Sequence, residues 1–305
     1  MFRYIAKRIL QTIPVLLVIA TMTFFMVRLA PGKPFDSERN TTPEIRKMQM
    51  EYYGFDKPLW QQYLIRMKQI ATVDFGLSSK YVNRRVNDII KEAFPVSCKV
   101  GLLALAFAMV FGLIAGIIAS LRPNTLTDYF PMSMAMTGIC LPTFVLGPFL
   151  IFFFAIKWRW FSTSGWEKPT DIVLPALTLG GYYAAYIARL SRGGMLEILS
   201  QDYIRTARAK GASAKRVVFK HALTGGMLPI ISFLGPTIAG LVSGSFVVEK
   251  IFVIPGIGQY FVTAAANRDY ALIEGLVIFF AILIITMNLL VDIALVWLNP
   301  KLRLE

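Results

Sequence analysis

The chain has 305 residues, a mean hydropathy of +0.58 and only 16% charged residues, a composition that excludes a pair of ordinary soluble domains. A net charge of +14 would suit a nucleic-acid-binding protein, but its distribution along the chain follows membrane topology, so we expect no nucleic-acid partner. A bilayer core of about 30 Å needs about 20 apolar residues per helix. Six uncharged apolar runs therefore predict six membrane-spanning helices, at residues 10–27, 100–121, 129–156, 172–188, 222–248 and 275–291.

Lysine and arginine are distributed unevenly between the short segments that flank these runs. With six spans both termini lie on one side, and the segments on that side hold fourteen Lys and Arg residues, against five on the other side. Because short cytoplasmic segments are enriched in these residues, we expect both termini to be cytoplasmic. The segments compared are 1–9, 122–128, 189–221 and 292–305 on the first side, and 157–171 and 249–274 on the second.

The first apolar run follows Arg3, Lys7 and Arg8, as the apolar part of a secretion signal would. It is longer than such a signal requires, and no small-residue cleavage site follows it. We therefore expect a retained membrane helix.

Residues 31–95 form a long polar segment between the first and second spans. Proline and glycine in the stretch LAPGKPF predict a sharp turn at its start. Apolar and aromatic residues at three- and four-residue spacing predict helices over 43–53 and 59–70, hence a small extracytoplasmic helical subdomain. Its eleven basic and eight acidic residues nearly balance, which is typical of a solvated surface, with a docking surface as the alternative.

Glycine pairs mark the second and fifth spans. Gly112 with Gly116, and Gly240 with Gly244, have the spacing that lets two helix backbones approach closely. We interpret both pairs as packing sites.

Prolines mark the third span, at Pro131, Pro142 and Pro148. Each removes a backbone donor and clashes with the preceding turn, so the span should bend. A bent helix can line a cavity or simply pack around its neighbours, and both interpretations stay open.

The stretch VEKIFVIPGIGQYFVTAAANRDYALIE lies between the last two spans, on the outer side. Pro255, Gly256 and Gly258 predict a turn between two apolar stretches, in a short loop that can dip back towards the membrane. The G-x-G-x-x-G spacing and its βαβ context are absent, which excludes a nucleotide-binding interpretation of these glycines.

Several kinds of chemistry have no support in the sequence. The chain lacks the G-x-x-x-x-G-K-[ST] phosphate loop, the H-E-x-x-H pattern and the G-x-S-x-G pattern, so we predict no catalytic residues and no ATP hydrolysis by the chain itself. Cys98 and Cys140 are far apart and His221 is the only histidine, so we expect packing cysteines and no metal site.

The apolar runs contain no acidic or basic residue, whereas a proton-driven carrier places ionisable groups deep in the membrane. Arg28, Glu274 and Asp292 flank the runs near helix ends, where snorkelling or an ion pair at headgroup level accounts for them. Energy for uphill transport would then enter from outside the chain.

The segment 189–221 interrupts the apolar sequence with eight basic and two acidic residues. Good helix formers over 201–210, a glycine at 211 suited to the left-handed conformation, and Ser213 as N-cap of a second helix through residue 223 predict a helix, a glycine turn and a helix. Small residues at the bend would let another protein approach closely, and a plain positive-inside loop is the alternative. These small residues are Ala207, Ala209, Gly211 and Ala212.

The order R-T-A-R-A-K-G-A, then K-H-A-L and M-L-P, resembles the signature loop of ABC-transporter membrane subunits. It is most similar to the first, B-type permease subunit of oligopeptide and dipeptide importers. The likeness extends over essentially the whole chain, through RLAPGKPF, DFGLS, FPVS, GICLPTF, VEKIFVIPGIGQ, NRDY and LNPKLR. It implies an all-α protein of the bacterial inner membrane with six transmembrane helices and the type I ABC importer permease fold.

In such importers this loop forms a coupling helix that docks on an ATPase subunit, and its general motif reads E-A-A, three residues, then G. Counted back from Gly211, the motif positions are Arg205, Thr206 and Ala207. Arg and Thr in the first two places depart from the general motif and match the peptide-importer branch. The resemblance implies that these four residues and Ala212 make the coupling contact.

Two further sets of residues receive expected roles on the outer side and along the translocation path. Pro255, Gly256 and Gly258 are expected at the contact with an extracytoplasmic binding protein. Residues that could line the path, with packing as the alternative, are Tyr182, Tyr183, Tyr186, Asn288 and the turn 243–245.

The resemblance also implies partners and an organisation of the chain. The partners are a second permease subunit that completes a heterodimer, two cytoplasmic ATPases that bind ATP and Mg²⁺, an extracytoplasmic peptide-binding protein and membrane lipid, and the chain itself needs no cofactor. The implied divisions are a cytoplasmic N-terminus and first helix at 1–30, an extracytoplasmic subdomain at 31–95, a membrane core at 96–298 with a coupling loop at about 189–221, and a cytoplasmic tail at 299–305.

Oligopeptides are the expected substrate, because the stretches ERNTTPEI and SSKYVNRRVNDIIKEAFPVS resemble the oligopeptide members of the branch. Importers of dipeptides, nickel and glutathione in the same branch are alternatives. Outside it, a proton-coupled carrier and a membrane scaffold without transport are the rival classes.

Overall fold

The computed structural model describes residues 2–29, 43–81 and 83–298. The expected turn after the first span and the C-terminal tail lie outside the described residues. The regular elements within them are helices: α1 Phe2–Leu29, α2 Pro43–Tyr52, α3 Leu59–Ala71, α4 Val86–Leu121, α5 Leu126–Cys140, α6 Thr143–Leu150, α7 Val173–Leu199, α8 Asp202–Ala209, α9 Ala214–Arg216, α10 Leu223–Gly226, α11 Leu228–Val242, α12 Phe246–Phe252, α13 Ile257–Asn267 and α14 Tyr270–Leu298. Two π-helical segments, Ile151–Lys157 and Val217–Ala222, continue α6 and α9.

Three helices are long and apolar enough to cross a membrane, within Leu10–Leu29, Val86–Leu121 and Tyr270–Ala294. In the most apolar 18-residue stretch of each helix, only 11%, 28% and 22% of the residues, respectively, are buried within the chain. Most of the surface of these stretches is therefore left for lipid. Among the described residues the number rises to six if each of three bent helix pairs is one span.

Five of the six candidate spans largely overlap predicted runs, and the fourth predicted run, 172–188, is the exception. Helix α7 covers the fourth run but is not among the candidate spans. Its tyrosines, its glycines and Arg189 lower its mean hydropathy. Instead α12 and α13, which lie mostly in the expected external loop, are together long and apolar enough to be a candidate span. Thirteen of the 27 residues of α7 are buried by protein, so it needs a less apolar surface than a helix in contact with lipid.

The third predicted span is bent, as its prolines indicate. Helices α5 and α6 meet at 108°, and the break falls at Leu141 and Pro142, which is the N-cap of α6. Pro131 and Pro148 lie inside the two helices without ending them. Pro142 is therefore the proline that redirects the chain.

The chain divides into two compact units. The first contains the described residues of 1–97 and 255–286, and the second contains those of 98–254 and 287–298. The described part of the expected subdomain at 31–95, which we call the insertion, is thus packed in one unit with α1, α13 and most of α14. Its helices form at Pro43–Tyr52 and Leu59–Ala71, which confirms the two predicted helices to within a residue at each end.

The core of the first unit is apolar and joins segments distant in sequence. Residues buried there include Phe75, Val86, Ile89, Leu272 and Leu276. Because α4 begins at Val86, the last part of the predicted subdomain is already the first part of a long helix. This burial holds the insertion against the start of α14.

A buried aspartate joins two of the motifs that carry the resemblance. Asp269, in NRDY, accepts hydrogen bonds from the Ser78 hydroxyl of DFGLS, from the Lys80 amide at 3.2 Å and from the Leu272 amide at 3.1 Å. Asp269 is fully buried. The two motifs are therefore joined by one buried hydrogen-bonded cluster in the first unit.

The predicted glycine pair on the second span packs against α7 in the second unit. A Cβ on Gly112 would lie 2.7 Å from the Ala184 carbonyl oxygen, and one on Gly116 would lie 2.5 Å from that of Ala188. Only glycine allows this approach, so the packing role of this pair is confirmed.

The second glycine pair has two different roles. A Cβ on Gly240 would lie 3.2 Å from the Tyr183 hydroxyl, which is a close packing contact. Gly244, with φ of +84°, instead lies in the turn that ends α11. The fifth predicted run therefore stops as a helix at Val242, six residues earlier than expected.

Candidate functional site

Helix α8 carries the first half of the predicted coupling segment. It begins after Gln201, which has an extended conformation, and ends at Ala209. Ile204 is completely buried and anchors the helix to an apolar cluster with Met195, Val217 and Ala222. One apolar side chain thus fixes a helix whose other residues are mostly exposed.

Gly211 makes the turn after this helix. Its φ of +82° is the left-handed conformation that the sequence predicts at this position. The Gly211 amide donates to the Arg208 carbonyl at 2.9 Å, and the Ala212 amide donates to the Ala207 carbonyl at 3.1 Å. The helix therefore ends with two of its last carbonyl groups hydrogen-bonded within the turn.

Ser213 is the N-cap of the second helix, as predicted, and its hydroxyl accepts a hydrogen bond from the Arg216 amide at 3.4 Å. The helix differs from the expected regular α-helix, because Val217–Ala222 has π-helical hydrogen bonding before α10 continues the chain. The π-helical segment buries Val217 and Val218 and leaves Phe219 and Lys220 exposed.

The five predicted coupling residues lie together in this helix–turn–helix, but they do not share one environment. Arg205, Thr206 and Gly211 are exposed, whereas Ala207 and Ala212 are half-buried. The Ala212 side chain packs on the apolar cluster below α8. Ala212 therefore stabilises the turn by packing against this cluster. The accessible surface is formed mainly by Arg205, Thr206 and Gly211.

The polar side chains on this surface make weak local contacts. The Arg205 guanidinium lies 3.6 Å from the Asp202 carboxylate, with both side chains more than three-quarters exposed, so the pair contributes little stability. The Thr206 hydroxyl donates to the Asp202 carbonyl at 3.1 Å. Because this ion pair is weak, the Arg205 guanidinium can leave Asp202 and bind another protein at little cost in free energy.

An ion pair that the sequence did not predict lies in the same unit. The Arg192 guanidinium, on α7, donates two hydrogen bonds of 2.6 Å to the Asp128 carboxylate, on α5. Asp128 is buried and also accepts from the Asn124 amide at 2.9 Å. The sequence signal was an acid directly before the third predicted span, in the first turn of α5. Its partner is 64 residues away and was counted only as a loop charge.

The predicted outer contact at Pro255, Gly256 and Gly258 has mixed accessibility. Pro255 is exposed, but Gly256 and Gly258 are buried. Gly256 is the N-cap of α13, and the Ile257 amide donates to the Ser97 hydroxyl at 2.9 Å. Of the three residues, Pro255 alone presents a surface to a partner in this structure.

The expected path residues are mostly engaged in packing or capping. The Tyr182 hydroxyl lies 3.4 Å from that of Tyr186, whose ring stacks on Phe233 with centroids 5.7 Å apart. The Ser243 hydroxyl donates to the Gly240 carbonyl at 3.0 Å, and the Ser245 hydroxyl caps α12.

Asn288 also lies in a packed position. A Cβ on Gly235 would lie 2.7 Å from the Asn288 Oδ1 atom. These contacts favour the packing alternative for these residues.

The arrangement of residues around Gly211 suits the docking of another protein. Within the described residues no group of three or more His, Cys, Asp or Glu side chains could hold a metal ion. The surface around Gly211 combines exposed guanidinium and ammonium groups with an open turn, where a Cβ on the glycine would meet no other atom within 4 Å. Such a surface can enter a groove on another protein, with complementary acidic groups around it.

Comparison with known proteins covers the whole chain. Residues 108–304 match the family described as the inner membrane component of binding-protein-dependent transport systems, and residues 1–100 match the N-terminal part of such membrane components. The chain is 44% identical to the oligopeptide transport system permease protein OppB of Haemophilus influenzae, over 99% of this chain and 100% of that protein. It is 43% identical to the dipeptide transport system permease protein DppB of Bacillus subtilis, over 100% of this chain and 99% of that protein.

Solved structures share the fold at low sequence identity. A chain of the MetNI methionine ABC transporter, in inward-facing conformations, is similar with a TM-score of 0.58 and 18% identity, over 69% of this chain and 96% of that chain. A chain of an amino acid ABC transporter crystallised with histidines has a TM-score of 0.50 and 16% identity, over 70% of this chain and 94% of that chain.

Proposed function

This chain belongs to the family of inner membrane components of binding-protein-dependent transport systems, and from that premise we propose that it is the oligopeptide-importing permease subunit of an ATP-driven ABC transporter. The observation that carries the proposal is the similarity to oligopeptide permeases along the entire chain at 43–44% identity. The compared region includes the insertion, the membrane helices and the basic segment 189–221.

We propose that a complete importer contains this chain, a second permease subunit, two cytoplasmic ATPases that bind ATP and Mg²⁺, and an extracytoplasmic peptide-binding protein. A zwitterionic peptide cannot cross lipid unaided, because each uncompensated charge costs several kcal/mol in hydrocarbon. Helices from two permease subunits would enclose the path. Both termini would face the cytoplasm, together with segment 189–221.

The proposed mechanism is alternating access. ATP binding brings the two ATPases together, and the helix–turn–helix around Gly211 follows its ATPase. Ile204 ties this segment to the cluster that includes Met195 of α7, and Arg192 ties α7 to α5. A displacement of α8 would then be passed to membrane helices through side chains that are already in contact.

Uptake measurements in whole cells and vesicles test this function. We expect uptake of a labelled tripeptide to require this chain and to be inhibited by vanadate, which blocks ABC-type ATPases. Uptake abolished by a protonophore alone would favour a proton-coupled carrier. Absence of any chain-dependent uptake would favour a scaffold.

Dipeptides are the second candidate substrate, favoured by the similarity to the Bacillus subtilis dipeptide permease at 43% identity. Competition of the labelled tripeptide by unlabelled dipeptides, nickel complexes and glutathione separates the substrate classes. The oligopeptide proposal predicts that tripeptides and longer peptides compete best.

A further inference from the structure

A cavity of about 280 Å³ lies within the first unit. It is bordered by the end of α1, the turn between α2 and α3, one face of α3 and the start of α14. Pockets for whole small molecules are about 300–1,000 Å³, so this one suits a small ion or the end of a longer molecule. Part of its wall is aromatic, formed by Tyr52, Tyr53, Phe55 and Tyr270.

The charges on the cavity wall do not balance. Arg28 and Arg66 share a single carboxylate, that of Glu274, with Arg28 Nη1 2.6 Å from Oε1 and Arg66 Nε bonded to Oε2. The exposed fractions of these side chains are 13% for Arg28, 7% for Arg66 and 2% for Glu274. The cluster carries one excess positive charge away from bulk water, which an anion would stabilise.

Within the part of the chain that the structure describes, the other charged groups that line the cavity leave this excess unchanged. They are Glu51 and Lys57, one of each sign, and both are exposed. Gln62 and Gln69 complete the polar part of the wall without adding charge.

The two guanidinium groups differ in how fully they are used. Arg66 donates to Glu274, to Gln69 and to the carbonyls of Phe75 and Ala271, through all three of its nitrogens. It is fixed as part of the fold.

Within the described ranges, acceptors bind two of the three guanidinium nitrogens of Arg28. Its Nε donates to Gln62 at 3.2 Å, and its Nη1 donates to Glu274 and to the Phe24 carbonyl. Its guanidinium lies over the Phe24 ring, 3.5 Å from the centroid. Among the described residues no acceptor bonds to Nη2, so two N–H groups of a residue in the cavity wall are left for a ligand.

We propose that this cavity binds the C-terminal carboxylate of a short peptide, with Arg28 Nη2 as the donor and the aromatic wall beside the terminal side chain. The proposal rests on the proposed function, because peptides are the carboxylates that an oligopeptide permease meets outside the cell. A carboxylate matches the planar donors of a guanidinium and the charge of the cluster. Inorganic phosphate offers the same oxyanion chemistry and is the other source of such a ligand.

Binding to the full chain in lipid nanodiscs tests the proposal directly. The probes are trialanine with a free carboxylate, trialanine with a C-terminal amide, and inorganic phosphate. We expect the free acid to bind about tenfold or more tightly than the amide, since a hydrogen bond to a charged group is lost in the amide.

A charge-compensating variant supplies the decisive comparison. Gln69 accepts a hydrogen bond of 3.2 Å from Arg66 through Oε1, and Gln69→Glu keeps that acceptor while cancelling the excess charge. We expect it to remain folded and to lose the preference for the free acid. Arg85→Gln is the control, because Arg85 is an exposed arginine of the same unit outside the cavity wall, and its preference should equal that of the wild type.

Three results would overturn the proposal: equal affinity for acid and amide, binding of phosphate without the peptide, or an unchanged preference in Gln69→Glu. Failure to bind any of the three probes would overturn it as well. Vanadate-sensitive tripeptide uptake is measured on the same wild-type chain. If uptake is present while binding shows no preference, only the cavity assignment fails and the transport function stands.

Discussion

Gly211 forms the turn of the proposed coupling segment. Because its φ is +82° and nothing lies within 4 Å of an added Cβ, a side chain there would strain the backbone without a clash. A residue with a Cβ in this conformation costs roughly 1–2 kcal/mol, and a β-branched one is the least tolerated. We expect Gly211→Val to reach the membrane in wild-type amounts and to reduce vanadate-sensitive uptake by about tenfold or more.

The matched control for that variant is Gly211→Asn. Asparagine enters the left-handed region more readily than other residues with a side chain, so this variant should retain most of the uptake. Equal losses in both variants would mean that the side chain itself, and not the backbone conformation, is what the partner rejects.

The Asp128–Arg192 ion pair gives a prediction for stability. Asp128→Asn would leave the Arg192 guanidinium without its counter-charge, and we expect a loss of about 2–3 kcal/mol, less than for a fully buried pair because Arg192 is partly exposed. Thermal unfolding of the purified chain in detergent, compared with Arg192→Gln and the double variant, measures the coupling. Strictly additive effects of the two substitutions would show that the two side chains do not stabilise each other.

Local sequence rules predicted the residues whose role depends on their immediate neighbours. Gly211 and Ser213 were placed correctly because a left-handed glycine and an N-cap are properties of a few consecutive residues. Arg28 and Glu274 were noted as possible members of an ion pair at the helix ends, and they do bind each other. Arg66, the second partner of Glu274, was missed because only tertiary packing brings it there.

At the scale of elements, the contact between α4 and α7 depends on glycine. A Cβ on Gly116 would lie 2.5 Å from both the Ala188 carbonyl oxygen and the Ser191 Cβ. We expect Gly116→Ala to separate the helices and to lower the free energy of unfolding by about 1–3 kcal/mol, the usual cost of overpacking. The midpoint of thermal unfolding in detergent measures the loss.

The control for this substitution is Gly193→Ala on α7. Gly193 is helical and exposed, and an added Cβ would meet nothing within 4 Å. This change should leave stability unchanged or raise it slightly, since alanine favours a helix more than glycine does. If both variants unfold at the same temperature, the close contact of α4 with α7 is not what stabilises the second unit.

The stability of the loop before α7, which ends in the 3₁₀ helix Pro169–Ile172, is expected to depend on pH. The Lys168 amide, at 2.8 Å, holds the pKa of the Asp171 carboxyl below its ordinary value, and the Glu167 amide, at 3.0 Å, acts in the same direction. A lowered pKa stabilises the folded loop above the pKa of the unfolded state, about 3.9, and this contribution disappears as the pH falls through the lower folded value.

Hydrogen exchange at the Glu167 and Lys168 amides measures this effect. Protection should be constant from neutral pH down to about 4 and should fall below that. In Asp171→Asn the acid-dependent step should be absent. A step that persists in this variant would assign the pH dependence to another group.

Hydrophobic periodicity predicted most helices but not where they break. The insertion helices and a bend in the third span follow from local patterns and are confirmed, but the sequence did not single out Pro142 among the three prolines of that span. Helix α7 forms where an apolar run was predicted, yet its burial among other helices lets it carry polar residues that a lipid-facing span would exclude. The end of α11 at Val242 was missed because the apolar run continues through the Ser243–Gly244 turn, and composition alone does not show where a helix ends.

For the molecule as a whole, the all-α fold of a type I ABC importer permease is confirmed. Composition predicted a multi-pass membrane protein, and the three long apolar helices agree with that expectation. The sequence did not predict that the insertion shares a unit with residues 255–286. That association depends on pairs such as Ser78 with Asp269, which are 191 residues apart and have no local signal.

The proposed mechanism requires that a separate ATPase drives this permease through the exposed surface around Gly211. The most direct measurement is site-specific photo-cross-linking from position 205 in the membrane-embedded transporter, with a matched probe at the exposed Trp60 of the insertion. We predict that position 205 cross-links to an ATPase subunit, more strongly when ATP is bound, and that position 60 does not. Cross-links from position 205 to an extracytoplasmic protein, or to no ATPase in an actively transporting complex, would contradict it.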